Sequence, residues 1–235
     1  ASGVAPLLST EWGQAGVWQQ DTPALDGEQT YPGCTTVASA QILYYYKYQN
    51  HADSDVCYQL DHDVVSDDVD EDGTLCLYFD SDEISYSWES MAINDGGSAA
   101  AAEVTSEFIY HVGVTLNAQF GGGKGSSATA RQIENAFRYQ WGFDKRREGG
   151  SRAKSVTIVV KDEFFDSDEE FAAHLRMELD AGRPVMYMAQ QADADTGHAF
   201  VIDGYNQDGL FHVNWGWGGY ANGYYDPNSL TDHRG

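Results

Sequence analysis

Basic residues are scarce in this chain. Thirteen Lys and Arg stand against 37 Asp and Glu in 235 residues, a formal charge of −24. That excess argues against nucleic acid and anionic membranes as partners, because both repel it. It also implies self-repulsion that salt would relieve. Long apolar runs are missing: no stretch reaches eighteen apolar residues, so no transmembrane helix is expected. Nor is there a charged-then-apolar signal segment, and residues 1–6 read as a processed start. The glycine-rich stretch 121–127 lacks the Gly-Lys-Ser/Thr ending of a phosphate loop, since Gly125 follows Lys124. The histidines lack metal-ligand spacing such as His-x-x-x-His. Cysteine is nearly absent. Of the three, Cys57 and Cys76 bracket an acidic segment and either pair, leaving Cys34 free, or stay reduced and buried.

What is present is enough for one substantial core. Apolar residues make up 42% of the chain, and its length suits a single domain spanning 1–235. Residues 1–150 read as mainly helical, interrupted by an acidic, loop-rich insert at 53–82. Ala38, Ile42 and Tyr45 recur at helical spacing after Cys34, predicting an amphipathic helix packed on one face that fades near Tyr48. Ser98 is placed to cap a helix carrying Val104, Phe108 and Val112. A further helix carries Ala130, Ile133 and Phe137. Residues 151–235 read as strand-rich. Residues 155–160 predict a strand, and Ser167 with Glu170 predicts a capping box ahead of Phe171, Leu175 and Leu179. Gly182 and Pro184 end that helix. Residues 185–188, 199–203 and 210–215 are then antiparallel strand candidates. The fold class is α+β.

Three separated residues carry the chemistry. Cys34 opens a helix, after Gly33 has allowed a tight approach. A thiol attacks a carbonyl only as thiolate, and both a helix N-terminus and a neighbouring imidazolium favour that form. His198 starts the apolar strand His-Ala-Phe-Val-Ile. The turn at Asn206-Gln207-Asp208-Gly209 then predicts a hairpin that returns Asn214 beside His198. An amide oxygen there would fix the imidazole tautomer, as the third member of a nucleophile–base–orienter set does. Trp215 and Trp217 would cover the pair. An oxyanion needs donors. These would be the Cys34 backbone N–H and a side-chain amide, with Gln14 the first choice and Gln19 and Gln20 as rivals.

This order of parts resembles papain-like thiol hydrolases, and the stretches 33–42, 197–204 and 211–219 resemble the streptopain family of secreted bacterial cysteine peptidases. The resemblance implies a two-lobed papain-like fold, with a cleft between a helical lobe and an antiparallel β lobe. It implies an endopeptidase acting on proteins or peptides, located outside the cell or in the periplasm, and made as a zymogen whose propeptide blocks the cleft. It matches Cys34 to the nucleophile, His198 to the base, Gln14 to the oxyanion amide, and Asn214 and Trp215 to the residues that orient and shield the imidazole. It also implies preference for an apolar side chain two positions before the scissile bond. The chain departs from the family in its acidic, cysteine-bearing insert. It departs again in ending soon after Pro227, short of a glycine-rich tail. No cofactor is required by this chemistry, and a monomer is expected.

Two other features invite readings. Asp68, Asp70 and Asp72 alternate ahead of Gly73, which resembles the first half of a calcium loop. The closing Glu of an EF-hand would fall at Phe79, so any structural calcium would need a looser site closed by Asp80 or Asp82. Asp193 and Asp195 precede His198 in what reads as a loop at the cleft rim. Two competing functions follow. One is a transglutaminase-like acyl transferase, in which Asp203 would replace Asn214 as orienter. The other is a calcium-binding surface domain with an unreactive Cys34.

Overall fold

The computed structural model describes residues 2–121, 126–143, 156–190 and 197–228. Its first half is built round helix α1 (Cys34–Tyr46), which ends where Lys47 turns left-handed. The expectation of one packed face is corrected here. Residues 35–44 are all buried, because α2 (Ala99–Thr115) covers α1 on one side and the strand Gly197–Tyr205 on another. Ser98 caps α2 through its hydroxyl, which accepts from the Ala101 N–H. Phe108, Ile109 and Val112 are wholly buried, each contributing roughly 1.5–3 kcal/mol. Helix α3 (Ala130–Tyr139) starts with a reciprocal capping box between Thr129 and Gln132.

The N-terminal 30 residues hold a short 3₁₀ turn and the two-residue strands β1 (Ala24–Leu25) and β2 (Glu28–Gln29). The acidic insert is more ordered than its composition suggests. Strands β3 (Val56–Gln59) and β4 (Thr74–Leu77) form an antiparallel hairpin in which Cys57 faces Cys76, and the two are joined by a disulfide. Cys34 is the free cysteine. Tyr58 and Tyr110 tie the insert down, donating to the Ala118 carbonyl and to Asp68.

The second half places α4 (Lys161–Phe164) and α5 (Asp168–Asp180) ahead of a four-stranded antiparallel sheet. The sheet order is β5 (Val185–Gln190), β6 (Gly197–Tyr205), β7 (Phe211–Asn214) and β8 (Gly223–Tyr225). The predicted strand at 155–160 is not formed over 156–160, and Ser155 lies outside the described residues. Arg138 holds the Val156 carbonyl instead, and Ile158, Val159 and Val160 are left partly exposed. Half of the expected capping box forms at α5: Ser167 accepts from the Glu170 N–H, while Glu170 reaches back to the Asp166 N–H. Phe171, Leu175 and Leu179 are buried against the sheet, and Gly182 ends the helix at φ +70°. Strand β8 was not foreseen.

Buried apolar residues fall into two clusters. One gathers α1, α2, α3, the insert and Val201; the other gathers α5 with Phe200, Ile202, Val213 and Trp215. The two faces of β6 therefore serve different cores, as side-chain alternation along a strand requires.

Candidate active site

Gly33 precedes α1 at φ +91°, and a Cβ there would stand 1.9 Å from the Ser126 carbonyl oxygen. Only glycine lets the chain make this turn so close to a neighbouring backbone. Cys34 is thereby set, half-buried, at the first position of the helix. The first N–H groups of a helix lack intrahelical acceptors and carry its positive dipole end.

His198 sits near the start of β6, opposite Ala189 of β5. Its Nε2 lies 2.8 Å from the Trp215 carbonyl oxygen. A carbonyl can only accept, so Nε2 carries a hydrogen and donates it. The imidazole is flanked by the Trp217 ring at 4.8 Å and the Trp215 ring at 6.1 Å, and those indoles stack on each other at 5.3 Å. The imidazole edge is thus fixed by a backbone acceptor and its face is covered by apolar rings. Gly216, the next residue, packs against Val37, one turn along α1 from Cys34. The carbonyl that holds His198 is therefore one residue from a contact with the helix of Cys34.

Asn214 does not orient His198, which corrects the sequence expectation. Its amide nitrogen donates to the Thr10 carbonyl at 2.8 Å and to Gln41 Oε1 at 3.3 Å. Its oxygen accepts from Gln41 Nε2 and from the Gly216 N–H. The physical reason is strand register. Near the turn, Tyr205 pairs with Phe211 and Gly204 with His212. Beyond a bulge at Asp203, Ile202 pairs with Val213 and Val201 with Asn214. Directly opposed residues share a face. Asn214 therefore shares the face of Val201, toward α1, while Trp215 shares the face of Phe200 and His198. Without the extra residue Asn214 would have stood opposite Ile202, on the face of His198.

Gln41, on α1, was not foreseen as part of the site. Its Oε1 accepts from the Thr10 hydroxyl and the Trp12 N–H, and its amide pairs with Asn214. Gln41 and Asn214 thus join three chain segments in the interior. The clue in the sequence was an amide in a helix whose other uncharged polar side chains besides tyrosine are the small Thr35, Thr36 and Ser39. Gln14 lies half-buried just beyond Trp12, in the bend before the 3₁₀ turn Gly16–Trp18. Its segment is pinned on both sides. The Trp12 indole donates to the Ala92 carbonyl, the Trp12 carbonyl accepts from the Gly218 N–H, and Gly13 abuts Gly218 and Trp18. Gln19 and Gln20 are engaged with the Gln29 and Val17 carbonyls, whereas the neighbours of Gln14, Trp12 and Gly13, meet Gly218.

The remaining sequence-predicted residues do not gather. Asp68 accepts from the Tyr110 hydroxyl, and burial pushes its carboxyl pKa up. Asp70 turns inward to accept from the backbone N–H groups of Asp72 and Thr74. Among the described residues no group of three or more His, Cys, Asp or Glu converges for a metal. Asp70 thus closes the turn that carries Asp68 and Asp72. Asp203, the rival orienter, bonds His212 at 2.6 Å and not His198. Asp193 and Asp195 lie outside the described residues. No helix among the described residues is long and apolar enough to cross a membrane.

The chain matches the Peptidase C10 family over residues 12–225. It is 32% identical to the thiol protease/hemagglutinin PrtT of Porphyromonas gingivalis over 98% of its length, covering 25% of that protein. It is 28% identical to streptopain of Streptococcus pyogenes over 87% of its length, covering 48% of that protein. The chain thus spans half or less of these curated relatives. Its structure superposes on active interpain A, a cysteine protease of Prevotella intermedia, with a TM-score of 0.78 at 30% identity. That match covers 97% of this chain and 87% of the other. A prointerpain A fragment matches with the same score over 96% of this chain and 66% of its own.

Proposed function

This chain belongs to the Peptidase C10 family, and on that premise we propose that it is a cysteine endopeptidase with Cys34 as nucleophile and His198 as base. One observation carries the reading. The imidazole is held by the Trp215 carbonyl through Nε2, on a strand packed against the helix that Cys34 opens. Nδ1 is then the nitrogen that takes the Cys34 proton, and the imidazolium together with the helix dipole keeps the thiolate.

The steps follow from these roles. Sγ of Cys34 attacks the scissile carbonyl carbon, and the oxyanion is met by the Cys34 N–H and the Gln14 amide. Collapse breaks the C–N bond while His198 gives its proton to the leaving amine. His198 then takes a proton from water as the water oxygen attacks the thioester, releasing the acid and restoring the thiol. The Trp215 and Trp217 rings keep bulk water from the imidazole. Asn214 acts as a positioning residue, holding the Trp12–Gln14 segment and Gly216 in place.

We further propose that substrates are proteins, cleaved after an apolar residue at the second position before the scissile bond. The molecule would work outside the cell or in the periplasm, and be released from a precursor. The Cys57–Cys76 disulfide supports an oxidising compartment. The likeness to a prointerpain fragment supports a precursor. The acyl-transferase reading loses its orienter because Asp203 is engaged by His212.

The test is iodoacetamide labelling with peptide mapping, beside casein hydrolysis. Labelling confined to Cys34, faster than that of an ordinary thiol and abolishing hydrolysis, is the expected result. A Cys34→Ala protein that still hydrolyses casein would sink the reading.

A further inference from the structure

The bulge in β6 decides which side chains meet His198, and it is held by a pair of residues that touch neither Cys34 nor His198. Asp203 is the extra residue where the register of β6 against β7 shifts, and it is wholly buried. Its two carboxylate oxygens and its carbonyl are all taken. Its Oδ1 lies 2.6 Å from His212 Nδ1 on the neighbouring strand. Its Oδ2 accepts from the Leu8 N–H at 3.0 Å, and its carbonyl accepts from the Leu7 N–H at 2.9 Å. Next to it, Gly204 lets the N-terminal segment press close, since a Cβ there would lie 2.7 Å from the Val4 carbonyl oxygen. Val4 and Tyr205 complete the clamp by exchanging two backbone hydrogen bonds.

A carboxylate buried without partners costs far more than one that is paired and hydrogen-bonded. The bulge is therefore the arrangement in which Asp203 is satisfied, and His212 is the partner that reaches it from β7. A one-residue slip moves every side chain beyond it to the opposite face. Slipped back, β7 would send Asn214 toward His198 and turn the Trp215 and Trp217 side chains toward α1.

We propose that Asp203 and His212 are positioning residues of the active site: their bond fixes the β6 bulge, and the bulge sets the Trp215 carbonyl and the Trp217 ring against His198. The proposal rests on the reading of Cys34 and His198 as the catalytic pair. It assigns His212 a task in the reaction that its place on a strand away from the imidazole does not suggest.

The experiment compares three forms with the wild type. Asp203→Asn/His212→Phe removes the bond without leaving a lone buried carboxylate. His212→Asn keeps a donor where Nδ1 stands, and His212→Gln keeps one a bond further out. Three readouts are taken: kcat and KM on a casein-derived peptide, the pH dependence of Cys34 alkylation, and the near-ultraviolet circular dichroism of the stacked tryptophans. The double variant is expected to lose kcat by about a hundredfold, the scale of a small misplacement of a catalytic group. Its KM should stay within about threefold, because uniform binding is untouched. Its alkylation profile and tryptophan signal should change as well. His212→Asn should recover all of these, and His212→Gln should not.

A folded double variant with wild-type kcat and tryptophan signal would overturn the proposal. So would a His212→Asn protein that loses as much as the double variant. If the double variant does not fold, the two single variants decide, and equal behaviour of Asn and Gln at position 212 overturns the proposal. A wild type that alkylates rapidly at Cys34 yet cleaves no casein would overturn the peptidase reading alone. The register is then judged on alkylation and the tryptophan signal.

Discussion

His198 and Trp215 are joined through the backbone: Nε2 of the imidazole donates to the Trp215 carbonyl at 2.8 Å, while the Trp215 indole lies nearly parallel to the same imidazole. One residue thus supplies both the acceptor that fixes the tautomer and part of the apolar cover. A main-chain acceptor cannot be deleted by substitution, so its placement depends on what holds residues 214–216.

That dependence gives a first prediction. Asn214→Ala leaves the Gln41 amide, the Gly216 N–H and the Thr10 carbonyl short of a partner in the interior. It should cost about 1–3 kcal/mol of stability and lower kcat. Gln41→Ala should do the same. In urea unfolding the double variant should fall short of the sum by about 1 kcal/mol, the size of coupling between residues in one hydrogen-bond network. Additive losses would show that the two amides act separately.

Gly33→Ala should be far more damaging than its size suggests. The left-handed φ alone costs about 1–3 kcal/mol for a residue with a side chain, and the added methyl meets the Ser126 carbonyl oxygen. Alkylation of Cys34 and casein hydrolysis should fall together, with a lower Tm. Wild-type alkylation in this variant would mean that the entry to α1 tolerates displacement.

His111 gives a pH prediction. It is buried against Phe79 and Tyr110, and its Nδ1 lies 2.8 Å from the Tyr86 hydroxyl. Burial lowers its pKa to about 4, against 6.5 unfolded. Between those values the unfolded chain binds the proton and the folded chain does not, so stability falls as pH drops through that window. The loss should be about 3 kcal/mol by pH 4. Asp68 and Glu107, whose pKa values burial raises, work the other way. The comparison is therefore between wild type and His111→Gln in urea at pH 7 and pH 4.5. A wild-type loss that the variant shares in full would assign the effect elsewhere.

The disulfide should matter for stability rather than chemistry. Cys57 and Cys76 are 19 residues apart, so opening that loop should cost about 3 kcal/mol by chain entropy. The Cys57→Ser/Cys76→Ser protein should melt lower yet label at Cys34 like the wild type. Loss of Cys34 reactivity in the folded variant would tie the acidic insert to the active site.

Much of this molecule could be read along the chain. The Cys34 helix, the caps at Ser98 and Ser167, and the stop at Gly182 depend on residues within one or two turns of each other. Such signals survive without knowledge of the rest of the fold. Strand β8 was missed because Gly223-Tyr224-Tyr225 is too short to show alternation. Alternating carboxylates at 68, 70 and 72 carry no unique signal, because such a residue also closes a turn, as Asp70 does.

The chemical parts and their order are legible along the chain: a thiol at a helix entry, an imidazole at a strand start, a polar residue before a tryptophan. So is the side-chain alternation that any strand must obey. Which of Asn214 and Trp215 meets His198 is settled by the fold. That choice turns on one extra residue, Asp203, whose conformation is fixed by His212 on the next strand and by Leu7 and Leu8 from the other end of the chain. A local pattern gives the period of a strand. Its phase against a neighbour is set by contacts across the sheet, and those exist only once the chain has folded.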